Sequence, residues 1–312
     1  MAHPADSTND AGPADVRVAA AARRKPGSWT RLLRSLIRSK TGAVGALIVV
    51  TVVLLAALAP LLAPHDPADV EPLQRLKPPV WMEGGLPGHL LGTDNLGRDI
   101  LSRIVYGAQV SLLVGIGAVL VSGAVGAVLG LVSGYFGGWI NALIMRVADA
   151  FLAIPTILLM LVVLAVVGPG LTTLIFVIGF TNWVPYARVV RGEVLSIKER
   201  DFVKAAQAVG ARSGRILYKH ILPNIISSFI VISGMSVATT IILEASLSFL
   251  GLGITSPDVS WGGMLSDGRS YVATSWWVAT FPGIAITVTV LGVIFLGDWL
   301  RDVLDPRMKE RA

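Results

Sequence analysis

The sequence predicts an all-α integral membrane protein with six transmembrane helices. Composition is the first reason: hydrophobic residues make up 54% of the 312 and charged residues only 15%, against about 25% charged in a soluble domain. Mean hydropathy is +0.70. The second is six apolar segments, at 41–63, 108–133, 142–168, 171–188, 225–252 and 279–299, each near the roughly 20 helical residues that cross a bilayer core. The third is pattern: the runs are continuous and lack the two-residue alternation of barrel strands, so helices must satisfy the backbone in lipid.

Residues 1–27, rich in Ala, Pro and Asp, read as a disordered tail. Ser28–Lys40, "SWTRLLRSLIRSK", reads as a basic amphipathic helix with Ser28 as N-cap. Its Trp29, Leu32, Leu33, Leu36 and Ile37 suit membrane lipid, and its arginines suit phosphates. The six-span region is expected over 41–307, with a polar loop at 65–105 after the first span. In the second span Gly126, Gly130, Gly134 and Gly138 recur every four residues, which stacks them on one face for close helix packing. Arg146 and Asp149, three apart in the third span, are placed to pair. Gly168, Pro169 and Gly170 make a tight connection to the fourth span. Glu244, inside the fifth span, must face the bundle interior or a watery cavity. It is a candidate for lining a translocation path, or a structural carboxylate bonding across helices. Trp276 and Trp277, ahead of the sixth span, suit an interfacial aromatic belt.

Charge sets the orientation. With both termini and the 191–224 loop in the cytoplasm, 21 of the 26 Lys and Arg residues lie inside, a strong positive-inside bias. Segments 65–105 and 254–275 are then outside. The expected location is the bacterial cytoplasmic (inner) membrane, multi-pass. The net charge of +6 is thereby topological and gives no reason to expect a nucleic-acid partner.

Catalytic chemistry is missing from the sequence. There is no cysteine, and the four histidines, His3, His65, His89 and His220, form no His-x-x-x-His pair, so no metal site is expected. No Gly-Lys dipeptide occurs, hence no phosphate-cradling loop of the Gly-x-x-x-x-Gly-Lys type. No His-Glu-x-x-His or Gly-x-Ser-x-Gly is found either. The chain is expected to be no enzyme and to carry no cofactor.

The 191–224 loop is too polar to cross a bilayer and too patterned for a linker. In "KERDFVKAAQAVG", Phe202, Ala206 and Val209 form an apolar stripe at helical spacing. Gly210 stands at a C′ position that favours left-handed geometry. Ser213 is placed to cap a second helix with Ile216, Leu217 and Ile221 on its apolar face. Pro223 is expected to turn the chain at Leu222 before the fifth span. The small Ala205 and Ala206 leave a surface that another protein can approach.

This loop resembles the EAA loop of ABC-importer permeases: Glu-Ala-Ala, three residues, Gly, about nine residues, then Ile-x-Leu-Pro. Ala205, Ala206, Gly210, Leu222 and Pro223 match, and Lys204 stands where the family has Glu. "GTDNLGRDILSRIVYGAQVSL" (Gly92–Leu112), "EASLSFLGLG" (Glu244–Gly253), "SWGGML" (Ser260–Leu265) and "LGDWLRDVLDPR" (Leu296–Arg307) are similar to the second permease subunit of dipeptide, oligopeptide and nickel importers. The resemblance implies a type I importer permease fold working by alternating access. It also implies partners: a second homologous permease, two ATPase subunits carrying ATP and Mg²⁺, and an extracytoplasmic substrate-binding protein. Lys204, Ala205, Ala206, Gly210, Ser213, Leu222 and Pro223 would then couple to the ATPase. Peptide is the expected cargo. Glutathione is an alternative, as is nickel, which the lack of any histidine in a span disfavours. An ion-coupled secondary transporter is the rival of another class. A single intramembrane carboxylate and no clear internal repeat argue against it, and the loop pattern argues against a non-transporting scaffold.

Overall fold

The structure is a computed structural model that describes residues 34–254 and 257–304. The expectations for the tail and for most of the amphipathic segment, including its Ser28 cap, lie outside them; residues 34–38 are helical. The main helices are α1 (Lys40–Ala57), α2 (Ile100–Phe136), α3 (Gly138–Ala153), α4 (Thr156–Val167), α5 (Leu171–Thr181), α6 (Trp183–Lys198), α7 (Asp201–Ala208), α8 (Ser213–Phe249), α9 (Trp261–Gly268) and α10 (Trp277–Leu304). No strand occurs among the described residues.

Four helices, α1, α2, α8 and α10, are each long and apolar enough to cross a membrane. The other two expected spans are bent pairs. The third bends by 88° between α3 and α4, and the fourth by 40° between α5 and α6. Pro155 explains the first bend. It forces Ile154 into extended geometry (φ −104°, ψ 129°), as its ring demands of the preceding residue. At the second, Thr181 Oγ1 bonds back to Val177 O at 2.7 Å and Asn182 Nδ2 to Ile178 O at 3.0 Å. Such back-bonding competes with the helix ladder and bends it. The fourth helical stretch also runs ten residues beyond its apolar segment, to Lys198.

α2 is the axis of the bundle, and glycine lets its neighbours close in. A Cβ at Gly130 would lie 2.7 Å from Ala187 O, and one at Gly134 2.8 Å from Val194 Cβ; Gly126 meets the backbone of Trp183 in the same way. Three of the four glycines therefore bed α2 onto α6. Gly138 does not join them. α2 ends at Phe136, and Gly138 begins α3 with φ 51° in open space. On other faces of α2, Gly179 brings α5 against Val121, and Gly115 admits Ile241 of α8. α1 is held by α10, where Gly42 lies under Trp299 and Gly292 under Ile48.

Two further expectations are corrected. Asp149 pairs with Arg188 of α6 at 2.7 Å, not with Arg146 on its own helix. Trp277 is not an interfacial belt residue: it is buried, and its Nε1 donates to Thr93 O at 3.3 Å. Trp276 is the exposed member of the pair.

Candidate functional site

Two sites stand at opposite ends of the bundle. One end carries the helix–turn–helix of α7 and the start of α8. α7 ends in a Schellman arrangement: Ala211 N donates to Ala206 O at 3.0 Å and Gly210 N to Gln207 O at 2.9 Å. Gly210 takes φ 74°, and no atom of the described residues lies within 4 Å of where a Cβ would sit. Ser213 does not cap the second arm. The N-cap is Arg212, without a side-chain bond, and Ser213 is the first helical residue.

Pro223 does not end the second arm either. Ser213–Phe249 runs as one helix with a π-helical stretch, Leu217–Ile221, and Leu222 is itself helical (φ −51°, ψ −46°). A π-turn shifts the hydrogen-bond register, so a residue lacking an N–H is accommodated without breaking the helix. Asn224 Nδ2 donates to His220 O at 2.7 Å in the same turn. Leu222 and Pro223 thus lie inside α8 rather than at its entrance.

The faces of α7 also differ from expectation. Val203 and the partly buried Ala206 anchor it, whereas Phe202 and Val209 are exposed, Val209 by 84%. Phe202, Ala205 and Val209 therefore form an outward apolar face. Lys204 sits beside it and pairs with Glu199 at 3.0 Å, both side chains being more than half exposed. The anchored side joins a core cluster: Val203 packs with Tyr135 of α2, Val190, Val194 and Ile197 of α6, and Ile216, Ile221 and Ile225 of α8. Lys198 Nζ donates to Tyr135 O at 2.9 Å. α7 is thereby packed against α2, α6 and α8.

The opposite end gathers three of the motifs singled out in the sequence. Asp94 Oδ1 accepts from Leu96 N (2.8 Å) and Arg98 N (3.0 Å). Asp94 Oδ2 meets Arg98 Nε at 2.7 Å and Arg103 Nη1 at 3.0 Å. Both arginines also reach Asp267 Oδ2 of α9, at 3.1 and 3.3 Å. Trp261 Nε1 donates to Ile104 O at 2.9 Å. The expected 65–105 loop ends at Asp99, since α2 begins at Ile100, and the loop, the start of α2 and the α9 segment are locked together.

Glu244 belongs to this end and is fully buried. It accepts from Ser248 Oγ at 2.7 Å and from Ser111 Oγ of α2 at 3.4 Å, and Ser260 Oγ lies 3.4 Å from Ser248 Oγ. A carboxylate sealed among serines of α2, α8 and the turn into α9 faces no open space in this chain. Within this chain it is a hydrogen-bond acceptor that joins α8 to α2.

The sequence did not foretell a third grouping. His65, His89 and Asp99 converge, their ligand-type atoms all within 4.8 Å of one another.

Comparisons with known proteins fit this anatomy. The family described as "Binding-protein-dependent transport system inner membrane component" matches residues 126–310. "N-terminal TM domain of oligopeptide transport permease C" matches 27–79. The chain is 42% identical to the dipeptide transport system permease protein DppC of Alkalihalophilus pseudofirmus, over 90% of each chain. It is 40% identical to the glutathione transport system permease protein GsiD of Pectobacterium atrosepticum, over 90% of this chain and 92% of that one. It is 37% identical to the oligopeptide transport system permease protein OppC of Bacillus subtilis, over 90% of each. Among solved structures, an inward-facing form of the MetNI methionine ABC transporter shares the fold, with a TM-score of 0.54 and 18% identity over 65% of this chain and 96% of that one. The glycine-bedded bundle, the projecting helix–turn–helix and these matches lead to one conclusion: the chain belongs to the family of binding-protein-dependent transport system inner-membrane components, the permease subunits of ABC importers.

Proposed function

We propose that this chain is the second permease subunit of an ATP-driven importer of di- and oligopeptides, and that α7 is where ATPase motion enters it. The observation that carries the coupling role is the two-sidedness of α7. It presents Phe202, Ala205 and Val209 outward while Val203 is built into the cluster that joins α2, α6 and α8. Closure of two ATPase subunits, which supply ATP and Mg²⁺, would press on that face and tilt the three helices together. The path between this chain and a homologous permease would switch by alternating access. An extracytoplasmic binding protein delivers the cargo. The Lys and Arg distribution supports cytoplasmic termini and a cytoplasmic 191–224 loop. The dipeptide and oligopeptide permeases among the relatives support a peptide cargo, and the glutathione permease favours a second reading, in which that thiol tripeptide is carried.

The chain has no cysteine, so Ala205→Cys gives a unique thiol. In membranes containing the assembled importer, a short bifunctional reagent should join this thiol to an ATPase subunit. A cysteine at the exposed Leu73, at the opposite end, should give no such product. Labelling of the Ala205→Cys thiol by an impermeant reagent added outside intact cells would overturn the reading. Uptake of labelled dipeptides by the reconstituted importer tests the cargo, and uptake of glutathione alone would replace it with the second reading.

A further inference from the structure

We propose that His65, His89 and Asp99 form a site for one divalent cation of the zinc class, which staples the 65–98 segment to the start of α2. The three residues come from separate stretches of chain: His65 follows α1, His89 lies in the loop, and Asp99 is the N-cap of α2. Asp99 and His89 are buried and His65 is partly buried, with the two imidazole rings stacked at 4.5 Å.

Hydrogen bonding around the cluster is incomplete without a cation. Gln74 Nε2 donates to Glu71, which turns Gln74 Oε1 toward His89 Nε2 at 2.8 Å. An amide oxygen only accepts, so His89 Nε2 carries the proton. A neutral His89 then points the bare lone pair of Nδ1 at a carboxylate oxygen, Asp99 Oδ1, 3.0 Å away. Two acceptors facing one another call for a positive centre between or beside them. A second proton on His89 would satisfy this pair alone. It would leave His65 Nδ1 as it stands: buried, without a hydrogen-bond partner among the described residues, and 3.9 Å from Asp99 Oδ2. A cation shared by the three groups answers both problems.

The surroundings have the form of a metal site's outer shell. A ligating histidine usually donates its other N–H to an oxygen acceptor, which fixes tautomer and ring orientation. Here Gln74 Oε1 is that acceptor. Asp99 Oδ2 is held by Ser102 N and Ser102 Oγ, both at 2.7 Å, leaving Oδ1 free of other partners among the described residues. Ligands about 2.0–2.1 Å from a tetrahedral zinc stand about 3.3 Å apart, near the 3.0 Å separation of His89 Nδ1 and Asp99 Oδ1. Two imidazoles and one carboxylate suit Zn²⁺ rather than the oxygen-seeking Ca²⁺ or Mg²⁺. The fourth position is left for water.

The test uses the full chain in nanodiscs, purified with a tag that contains no histidine, and Zn²⁺ alone as the probe. After equilibration with Zn²⁺ and removal of the excess, mass spectrometry of the metal should give one zinc per chain. His65→Ala removes a partly exposed ring. Asp99→Asn keeps a good helix cap. Each should weaken zinc binding at least tenfold, as judged by competition with a chelator, while His220→Ala, at the other end, should leave it unchanged. Co²⁺ in place of Zn²⁺ should give the strong visible bands of a tetrahedral site in the parent chain and lose them in both ligand variants. No zinc above a protein-free nanodisc blank, or zinc held equally by the parent, His65→Ala and Asp99→Asn chains, overturns the site.

Discussion

The two ends of this molecule use the same backbone device for opposite purposes. Gly97, in the loop ahead of α2, and Gly210, after α7, both adopt left-handed geometry, at φ 85° and 74°. Gly97 is buried, and a Cβ there would overlap the backbone of Glu71. Gly210 stands in open space. Around Gly97 lies a cross-linked knot of Asp94, Arg98, Arg103 and Asp267. Around Gly210, a short helix is held at Val203 and Ala206 and free on its other faces. One end is cross-linked, and the other presents a small surface, the one proposed for coupling.

Breaking the knot should have the largest effect. Asp94→Ala leaves Arg98 and the buried Arg103 with Asp267 as their one remaining carboxylate partner among the described residues. Loss of one partner of a buried pair costs about 3–5 kcal/mol, so the purified chain should melt far below the parent or fail to accumulate in the membrane. An unchanged melting temperature would show that the knot is ornamental.

The glycines give a sharper comparison. Gly97→Ala and Gly210→Ala carry the same left-handed penalty of about 1–2 kcal/mol, but only the first adds overlap with backbone. Melting curves should rank Gly97→Ala well below Gly210→Ala. Equal losses would mean that the crowding at Gly97 is easily relieved.

A third test lies between the ends. Gly130→Leu drives a side chain into Ala187 and Val190 of α6. Overpacking commonly costs about 1–3 kcal/mol, and here it should separate α2 from α6 and slow transport while leaving binding-protein docking intact. Transport at the parent rate would mean that α2 and α6 need not touch.

The smallest effect is expected from Lys204→Glu. Exposed ion pairs contribute about 0–1 kcal/mol, so losing the contact with Glu199 should shift the melting temperature within error. A large change in ATPase activity at constant stability would assign Lys204 a direct contact with the partner.

The sequence carried much of this anatomy because periodicity is local. The spacing of Gly126, Gly130 and Gly134 is that of a helix face, and the turn at Gly210 follows from a glycine after an apolar helix. What it concealed needed neighbours. Pro155 was visible, but an unbroken apolar run masked the bend. Pro223 looked like a helix stop, and the π-turn that absorbs it leaves no compositional mark. The stripe of Phe202, Ala206 and Val209 is split in the fold, because Phe202 and Val209 are as apolar as Val203 and only tertiary packing decides which is anchored. Ser248 lies one turn from Glu244, but Ser111 and Ser260 reach the carboxylate only through the fold. His65, His89 and Asp99 lie far apart along an irregular loop, where no helical or strand period links them.

The claim that α7 transmits motion is tested most directly at Gly210. In the reconstituted importer, with assembly matched to the parent, Gly210→Val should misplace the Phe202, Ala205 and Val209 face. With 1.4 kcal/mol corresponding to about a factor of ten, transport and substrate-stimulated ATP hydrolysis should fall together by about tenfold, while the extracytoplasmic partner binds its cargo as before. Parent rates of both activities in Gly210→Val would contradict the account, because the surface assigned to coupling would then tolerate displacement without consequence.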